Sequence, residues 1–319
     1  MKNDFFECAP VLLIGFNRPD LIKGQIDAVR SALPKRLYIA ADGPREHREG
    51  EAELCAAVRK CVGMVDWPCE VRTLFRNHNL GCKFGVSSAI AWFFENEEMG
   101  IILEDDCRPV DQFFRYATEL LHRYRDDGRV GSISGFNHFN YQSNPNDSYH
   151  FSRHISIWGW ATWRRAWSKY ELDVRSYRDI YADALKKSEL SRCSQRMRLR
   201  SFSGVASGLI NTWDVQMSVI FFCNNLLTIV PKERLVVNLG IGALAATHTQ
   251  GFNLYAKQFS TPGRIEFPLK HPNEVCPDSN ADRRREMWID GFFARCLTWV
   301  GDKFRYLRPV VLLLDRIAK

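Results

Sequence analysis

Three consecutive acidic residues follow a short apolar run at the point where a strand would end. The run is Ile101-Ile102-Leu103, and the acids are Glu104, Asp105 and Asp106. Such a run is typical of a buried strand of a parallel sheet, which ends at the crevice where α/β proteins bind ligands. The acids could instead cap a helix or face solvent. Because a divalent cation relieves the repulsion between carboxylates, the stretch predicts metal-assisted chemistry with Mn²⁺ or Mg²⁺.

Polar residues follow the three earlier predicted strands as well. Asn17 and Arg18 come after the first strand, Asp42 after the second, and Lys83 opens the helix after the third. Each has a plain structural reading as a helix-capping or turn residue. Arg18 and Lys83 also suit phosphate, and Asp42 suits a base or ribose. Their shared position at strand ends predicts one anion-binding edge.

The second half of the chain adds three weaker candidates. Four tryptophans at 158, 160, 163 and 167 surround Gly159, and we interpret Trp158 and Gly159 as part of a sugar-binding wall rather than core alone. Asp214 stands where a helix would begin and could act as a general base. His248 follows a glycine-rich segment and could bind metal or phosphate, although a lone histidine is more often structural.

The elements that must position these residues alternate between strand and helix. Strand patterns over 10–16, 36–41 and 71–75 precede the one that ends at Glu104, and each is followed by a helix pattern. This alternation predicts an α/β protein with a doubly wound, mostly parallel sheet. We expect helices near 46–62 and 112–124 and a strand over 130–134, followed by several further elements.

Length and composition are those of an ordinary globular protein. The chain has 319 residues and a net charge of +7, which suits a phosphorylated ligand, an anionic membrane surface or nucleic acid. Its ten cysteines show no C-x-x-C spacing, which argues against a zinc ribbon. Most of them lie in apolar or mixed surroundings, which fits a reducing compartment. Neither a signal peptide nor a membrane-spanning run is evident. We therefore expect a cytoplasmic protein.

These motifs resemble nucleotide-sugar-dependent glycosyltransferases of the GT-A fold, which is Rossmann-like. The chain is similar to a bacterial group often labelled hemolytic-protein-like or sugar transferase, and more distantly to the N-acetylglucosaminyltransferase I family. Each motif is short, whereas their order over roughly 9–249 is specific. The motifs are Gly15-Phe16-Asn17-Arg18-Pro19, Ala41-Asp42-Gly43-Pro44, Asn79-Leu80-Gly81, Leu103-Glu104-Asp105-Asp106, Trp158-Gly159-Trp160, Trp213-Asp214 and Ala246-Thr247-His248.

The resemblance implies a role for each strand-end residue toward a nucleotide-diphosphate donor, with UDP-sugar as the expected class. Arg18 would hold the diphosphate and Asp42 the nucleobase. Asp105 would contact the ribose, Glu104 would face the donor sugar, and Asp106 would be the last acid of a D-x-D-like metal motif. His248 would be a further metal or phosphate contact.

On the acceptor side, the resemblance implies that Asp214 deprotonates a hydroxyl of a glycan or lipid-linked acceptor, with inversion at the anomeric carbon. The implied organisation is a glycosyltransferase domain over 9–250, divided into a nucleotide-binding half (9–110) and an acceptor-side α+β half (111–250). A C-terminal helical extension would cover 251–319. Apolar and basic residues within 306–319 suggest peripheral membrane contact at the inner face of the cell membrane.

Two alternatives belong to other functional classes. A sugar-phosphate nucleotidyltransferase uses a related sheet, but usually has a glycine-rich basic loop after the first strand, and residues 15–19 lack one. A non-catalytic nucleotide or nucleic-acid binder could use the basic helical stretch at 186–200. Because no aromatic residue interrupts that stretch to stack on bases, we favour a solvated face and expect no nucleic-acid partner.

Overall fold

The apolar runs of the first hundred residues form four parallel strands on one side of a mixed sheet. The computed structural model describes residues 6–240 and 261–289. Side chains of the first strand alternate between the two faces, since Val11 and Leu13 belong to one core and Leu12 and Ile14 to the other. The four strands are β1 (Val11–Gly15), β2 (Arg36–Ala41), β3 (Glu70–Phe75) and β4 (Met99–Glu104).

Six further strands follow β4 along the chain: β5 (Cys107–Pro109), β6 (Val130–Ser134), β7 (Tyr149–Ser152), β8 (Trp160–Trp163), β9 (Leu227–Pro231) and β10 (Val236–Asn238). The eight strands of the main sheet lie in the order β3-β2-β1-β4-β8-β6-β9-β7. Beyond β4 the pairing is mixed, because β8 lies antiparallel between β4 and β6, whereas β9 is parallel to β6. A separate two-stranded ribbon pairs β5 with β10.

Helices cover both faces of the sheet, which confirms the predicted α/β, doubly wound and mostly parallel architecture. The first, second and fourth helices pack on one face, and the third and eighth on the other. The helices are α1 (Pro19–Arg30), α2 (Glu51–Lys60), α3 (Gly81–Asn96), α4 (Asp111–Arg123), α5 (Arg164–Trp167), α6 (Arg178–Lys187), α7 (Arg192–Ala206), α8 (Asp214–Cys223) and α9 (Ser279–Ile289).

The strand order reverses between β1 and β4. From β1 the chain proceeds through β2 to β3 on one side, and β4 then returns to pair with the other side of β1. A reversal of this kind leaves a crevice at the carboxyl ends of the two central strands, which is the usual ligand site of open α/β sheets. The acids after β4 stand at this crevice.

One prediction about an element is wrong. The basic stretch 186–200 is not one helix, because Ser188 is extended and Ser191 caps α7 by accepting a hydrogen bond from the Ser194 amide. Of the four tryptophans between 158 and 167, Trp160, Trp163 and Trp167 are buried core residues. Their indoles fill the space between helices and sheet, and only Trp158 is partly exposed.

Several predictions fall on residues outside those described. These are His248, the boundary near residue 250, most of the helical extension over 251–319, and the membrane contact over 306–319. Within residues 6–240 and 261–289, no helix combines the length and apolarity needed to cross a bilayer.

Candidate active site

The acid loop, residues 104–107, is fixed at the switch point by strand pairing and by one glutamine. Glu104 is in register with Ile14 of β1, at the last paired position of β4. Gln25 of α1 is buried, and its Nε2 donates to the Glu104 carbonyl at 2.9 Å and also to the Cys107 carbonyl. The loop backbone is therefore held from both ends, and the side chains between them project in defined directions.

Arg18 and Asp105 form an ion pair across the crevice. The Arg18 Nε donates to Asp105 Oδ2 at 3.0 Å, and a terminal nitrogen of Arg18 donates to Asp105 Oδ1. The same guanidinium lies 3.7 Å from Asp106 Oδ2. Asp105 is only 5% exposed, and burial raises its pKa to about 6 in spite of the opposing effect of Arg18. Arg18 and Asp105, which were both predicted to bind the donor, therefore lie together and are bound to each other.

Glu104 is the most strongly perturbed acid of the cluster. Burial raises the pKa of its carboxyl to about 8. The carboxylates of Asp106, Asp105 and Asp214 add to this shift, because bringing a further negative charge beside them costs free energy. Asp214 is more than a hundred residues away in the sequence, so its effect on Glu104 shows that the two predicted catalytic acids share one crevice.

Asp214 is the first residue of α8 and comes close to the acid loop from the second half of the chain. The Thr212 hydroxyl donates to Asp214 Oδ1 and fixes the carboxylate, which leaves Oδ2 for a substrate proton. Cys82 of α3 is near both this carboxylate and Glu104, because both charges act on its thiol. Burial, with the charges of Glu104 and Asp214, raises the pKa of the Cys82 thiol to about 12, so that it stays protonated.

Asp106 is more accessible than Asp105, with 23% of its side chain exposed against 5%. Its carbonyl accepts from the Leu239 amide at 2.8 Å, which joins the acid loop to the segment after β10. A Cβ placed on Gly240 would lie 2.5 Å from Asp106 Oδ2 and 3.1 Å from Asn238 Oδ1. Glycine at 240 therefore preserves a small space with two oxygen atoms around it.

This space fits a hard divalent cation. Among residues 6–240 and 261–289, no three His, Cys, Asp or Glu side chains are grouped so as to hold a metal ion by themselves. Mg²⁺ and Mn²⁺ sites often use one or two protein oxygens and complete their coordination with water and substrate phosphate. Asp106 and Asn238 have the right chemistry for that arrangement, and Asn238 was not predicted from the sequence.

Asp42 serves the architecture of the crevice. Its carboxylate accepts from the Leu80 amide at 3.0 Å, the Gly81 amide at 3.1 Å and Asn79 Nδ2 at 3.0 Å. It therefore caps the start of α3 from the end of β2. Gly43 allows the close approach, because a Cβ there would lie 2.5 Å from the His78 backbone.

Asn17 belongs to a second polar cluster next to the acid loop. Its Nδ2 donates to Glu51 Oε1 at 3.0 Å, and Glu51 accepts several hydrogen bonds from Arg45. Those bonds lower the pKa of the buried Glu51 carboxyl to about 2. The Arg45 guanidinium also lies 5.4 Å from the Phe16 ring centre. Sequence reasoning missed Glu51, which looked like an ordinary acid in the first turn of α2.

Trp158 and Gly159 lie where the acid loop meets the acceptor-side strands. Trp158 packs edge-on against Phe136, with ring centres 4.7 Å apart. Gly159 has φ of +65°, and a Cβ there would lie 2.7 Å from the Val236 side chain. Its backbone amide is beside the Cys107 thiol. The pair thus borders the crevice, and its role in sugar binding stays a prediction.

Lys83 forms no ion pair with the acid loop within the part of the chain that the structure describes. It is half-buried in the first turn of α3, with its ammonium 5.8 Å from the Phe84 ring centre, and its charge acts on Asp173. The structure therefore groups Arg18, Asp214 and the acid loop, with Asn17 and Asp42 in adjoining polar clusters and Lys83 at the margin. Thr212, Cys82 and Gln25 join the group without a sequence signal, since only folding brings them to it.

Comparisons with known proteins give only distant likenesses. No protein-family model and no curated protein matches the chain. Residues 1–349 of TarS from S. aureus are 8% identical, with a TM-score of 0.37 over 63% of this chain and 72% of TarS. Apo UDP-glucose pyrophosphorylase is 9% identical, with 0.36 over 70% and 90%. HddC from Yersinia pseudotuberculosis is 11% identical, with 0.28 over 49% and 77%. Scores this low carry no functional assignment.

Proposed function

We propose that the chain is a metal-dependent glycosyltransferase that moves a sugar from a nucleotide-diphosphate donor, with UDP-sugar as the expected class, to a hydroxyl acceptor. The observation that supports this most is the convergence of Asp214 with the acid loop at the switch point of the sheet. One side of the crevice then offers groups for an anionic donor, and the other offers a base oriented by Thr212.

At the donor, Arg18 is the group we propose for the diphosphate. Both oxygens of Asp105 accept from its guanidinium, so Asp105 orients Arg18 rather than remaining available to the ribose. Arg18 is still 30% exposed, and its Nη1 makes no hydrogen bond within the part of the chain that the structure describes, so it can bind an anion. Asp106 and Asn238 would hold Mg²⁺ or Mn²⁺, and the bound ion would neutralise charge on the leaving diphosphate.

At the acceptor, Asp214 Oδ2 takes the hydroxyl proton while the acceptor oxygen forms a bond to the anomeric carbon. The bond from that carbon to the diphosphate oxygen breaks, and its electron pair leaves with the nucleotide diphosphate. Proton transfer to a positioned base of this kind typically contributes 10²–10⁴-fold in rate. A single displacement predicts inversion at the anomeric carbon. A glycan or lipid-linked acceptor fits this role.

The product released from the nucleotide tests the proposal against a nucleotidyltransferase. We expect the full chain with Mn²⁺ to release UDP from at least one UDP-sugar, with slow transfer to water when acceptor is absent. It should form no pyrophosphate from UTP and sugar 1-phosphates. Pyrophosphate formation without UDP release would show that the acid loop serves nucleotidyl transfer, in which Asp214 has no role as acceptor base.

A further inference from the structure

A wide groove lies beside α7, outside the crevice. It has a volume of about 1010 Å³ and is bordered by α7, the start of α6 and the turn after α7. Four exposed arginines line it: Arg175, Arg178, Arg196 and Arg200. No carboxylate lines it among the described residues, and within the same residues the last three of these arginines form no ion pair.

The same groove exposes apolar side chains. Leu209, in the turn after α7, is 86% exposed, and Ile210 is 40% exposed. Met197 and Leu199 of α7 also line the groove or its border. Keeping such a leucine in water is unfavourable, by about 25 cal/mol for each Å² of apolar surface. Arginines beside exposed leucine are the composition of surfaces that lie in the headgroup layer of a membrane.

The groove is joined to Asp214 by a short turn. The Ile210 amide donates to the Gly204 carbonyl at 3.0 Å, which anchors the turn on α7. The next residues are Asn211 and Thr212, and the Thr212 hydroxyl orients Asp214. A surface that the groove binds would therefore lie close to the Asp214 carboxylate, which we propose as the acceptor base.

We propose that this groove docks the protein on an anionic phospholipid bilayer. Lipid phosphates would contact Arg178, Arg196 and Arg200, and Leu209 would enter the headgroup layer. The charge of the groove complements phosphate, and its exposed leucine suits lipid. A nucleic acid fits less well, because no aromatic side chain lines the groove to stack on bases among the described residues. This docking does not depend on sugar transfer.

Vesicle flotation of the full chain tests the proposal. We expect binding to phosphatidylcholine vesicles that contain phosphatidylglycerol, and little binding to phosphatidylcholine alone. R196A/R200A should bind roughly tenfold or more weakly, because each cation near an anionic surface contributes to the affinity. L209S should also weaken binding. The matched control is K60A/K270A, which removes the same charge from exposed positions elsewhere.

Circular dichroism and melting temperature should show that all variants fold, since the substituted side chains are exposed. Three outcomes would overturn the proposal. The first is a failure of the protein to float with anionic vesicles, and the second is an equal loss of binding in K60A/K270A and R196A/R200A. The third is tighter binding of single-stranded DNA than of vesicles, lost in R196A/R200A, which would make the groove a nucleic-acid site. UDP release by the same preparation separates each outcome from a failure of the proposed activity.

Discussion

The carboxylates of the crevice differ because their surroundings differ. Asp105 is paired with Arg18, Asp106 is more accessible beside Asn238, and Glu104 is half-buried among other acids. Asp214 is fixed by a hydroxyl and stands opposite. Neighbouring residues of the same chemical type therefore differ in what they can do: Asp105 orients the Arg18 guanidinium, Asp106 keeps an accessible carboxylate, and Glu104 resists ionisation.

Asp214→Asn should lower kcat for UDP release in the presence of acceptor by roughly 10²–10⁴-fold, because asparagine cannot accept the hydroxyl proton. Donor affinity measured by calorimetry with Mn²⁺ should stay within about twofold of the parent, since a lost base acts only on the reacting acceptor. Asp179→Asn, at an exposed acid in the first turn of α6, is the control. An unchanged kcat in Asp214→Asn would remove this residue from the mechanism.

Glu104→Gln should stabilise the protein increasingly as pH rises. Burial, with the neighbouring acids, raises the pKa of Glu104 from 4.5 to about 8. The folded state therefore retains this proton more strongly than the unfolded chain. The resulting stability is full below about pH 4.5 and is lost as pH rises through 8. Glutamine resembles the protonated acid and avoids that loss.

Melting temperatures in metal-free buffer at pH 5.5, 7.0 and 8.5 test this. The melting temperature of Glu104→Gln should exceed that of the parent by a margin that grows to about 2–4 °C or more at pH 8.5. This is the shift that about 1 kcal/mol gives in a domain of 150–250 residues. Glu95→Gln, at an exposed position of α3, should show no such trend. If the difference in melting temperature between Glu104→Gln and the parent did not change with pH, the raised pKa of the Glu104 carboxyl would be contradicted.

At the scale of elements, the junction of β2 with α3 forms one wall of the crevice. The Asp42 carboxylate accepts from the first amides of α3, and Gly43 lets the two loops touch. The end of β2 and the start of α3, at Asp42 and Gly81, are 39 residues apart and thus become one unit. This unit holds Cys82, the second residue of α3, where the charges of Glu104 and Asp214 act on its thiol.

Asp42→Asn should destabilise the protein by about 1–2 kcal/mol with or without nucleotide, because an amide has one acceptor oxygen and places an N–H group against donors. Urea denaturation with and without UDP measures this change. Asp20→Asn, at an exposed position in the first turn of α1, is the control. Full stability together with weakened UDP binding would show that Asp42 acts on the nucleobase rather than on the helix.

The sequence predicts some elements well for identifiable reasons. The runs 36–41 and 71–75 match β2 and β3 closely, because short stretches rich in β-branched, aromatic and other apolar residues between turn residues favour strands. The acid loop was predicted because a charged cluster after such a run is unusual. By contrast, the Arg18–Asp105 pair joins residues 87 positions apart and leaves no local pattern. The burial of Trp160 is equally hard to predict from the sequence, because a tryptophan beside a glycine is compatible with the core as well as with a binding wall.

At the scale of the whole molecule, we propose that the crevice binds a nucleotide-diphosphate sugar together with a divalent cation through Asp106. The strand reversal between β1 and β4 brings together groups from both halves of the chain. A donor bound there should stabilise the folded state in proportion to its saturation. Binding should need donor and cation together, because the protein supplies only part of the expected coordination.

The most direct test is the melting temperature of the full chain with a panel of nucleotide-sugars, each with Mn²⁺ or with chelator. We predict that at least one UDP-sugar raises it by roughly 5 °C at a hundredfold excess over Kd, only with Mn²⁺. Asp106→Asn should abolish the shift, whereas Asp126→Asn, at an exposed acid, should retain it. No shift with any nucleotide-sugar, or an undiminished shift in Asp106→Asn, would contradict the account.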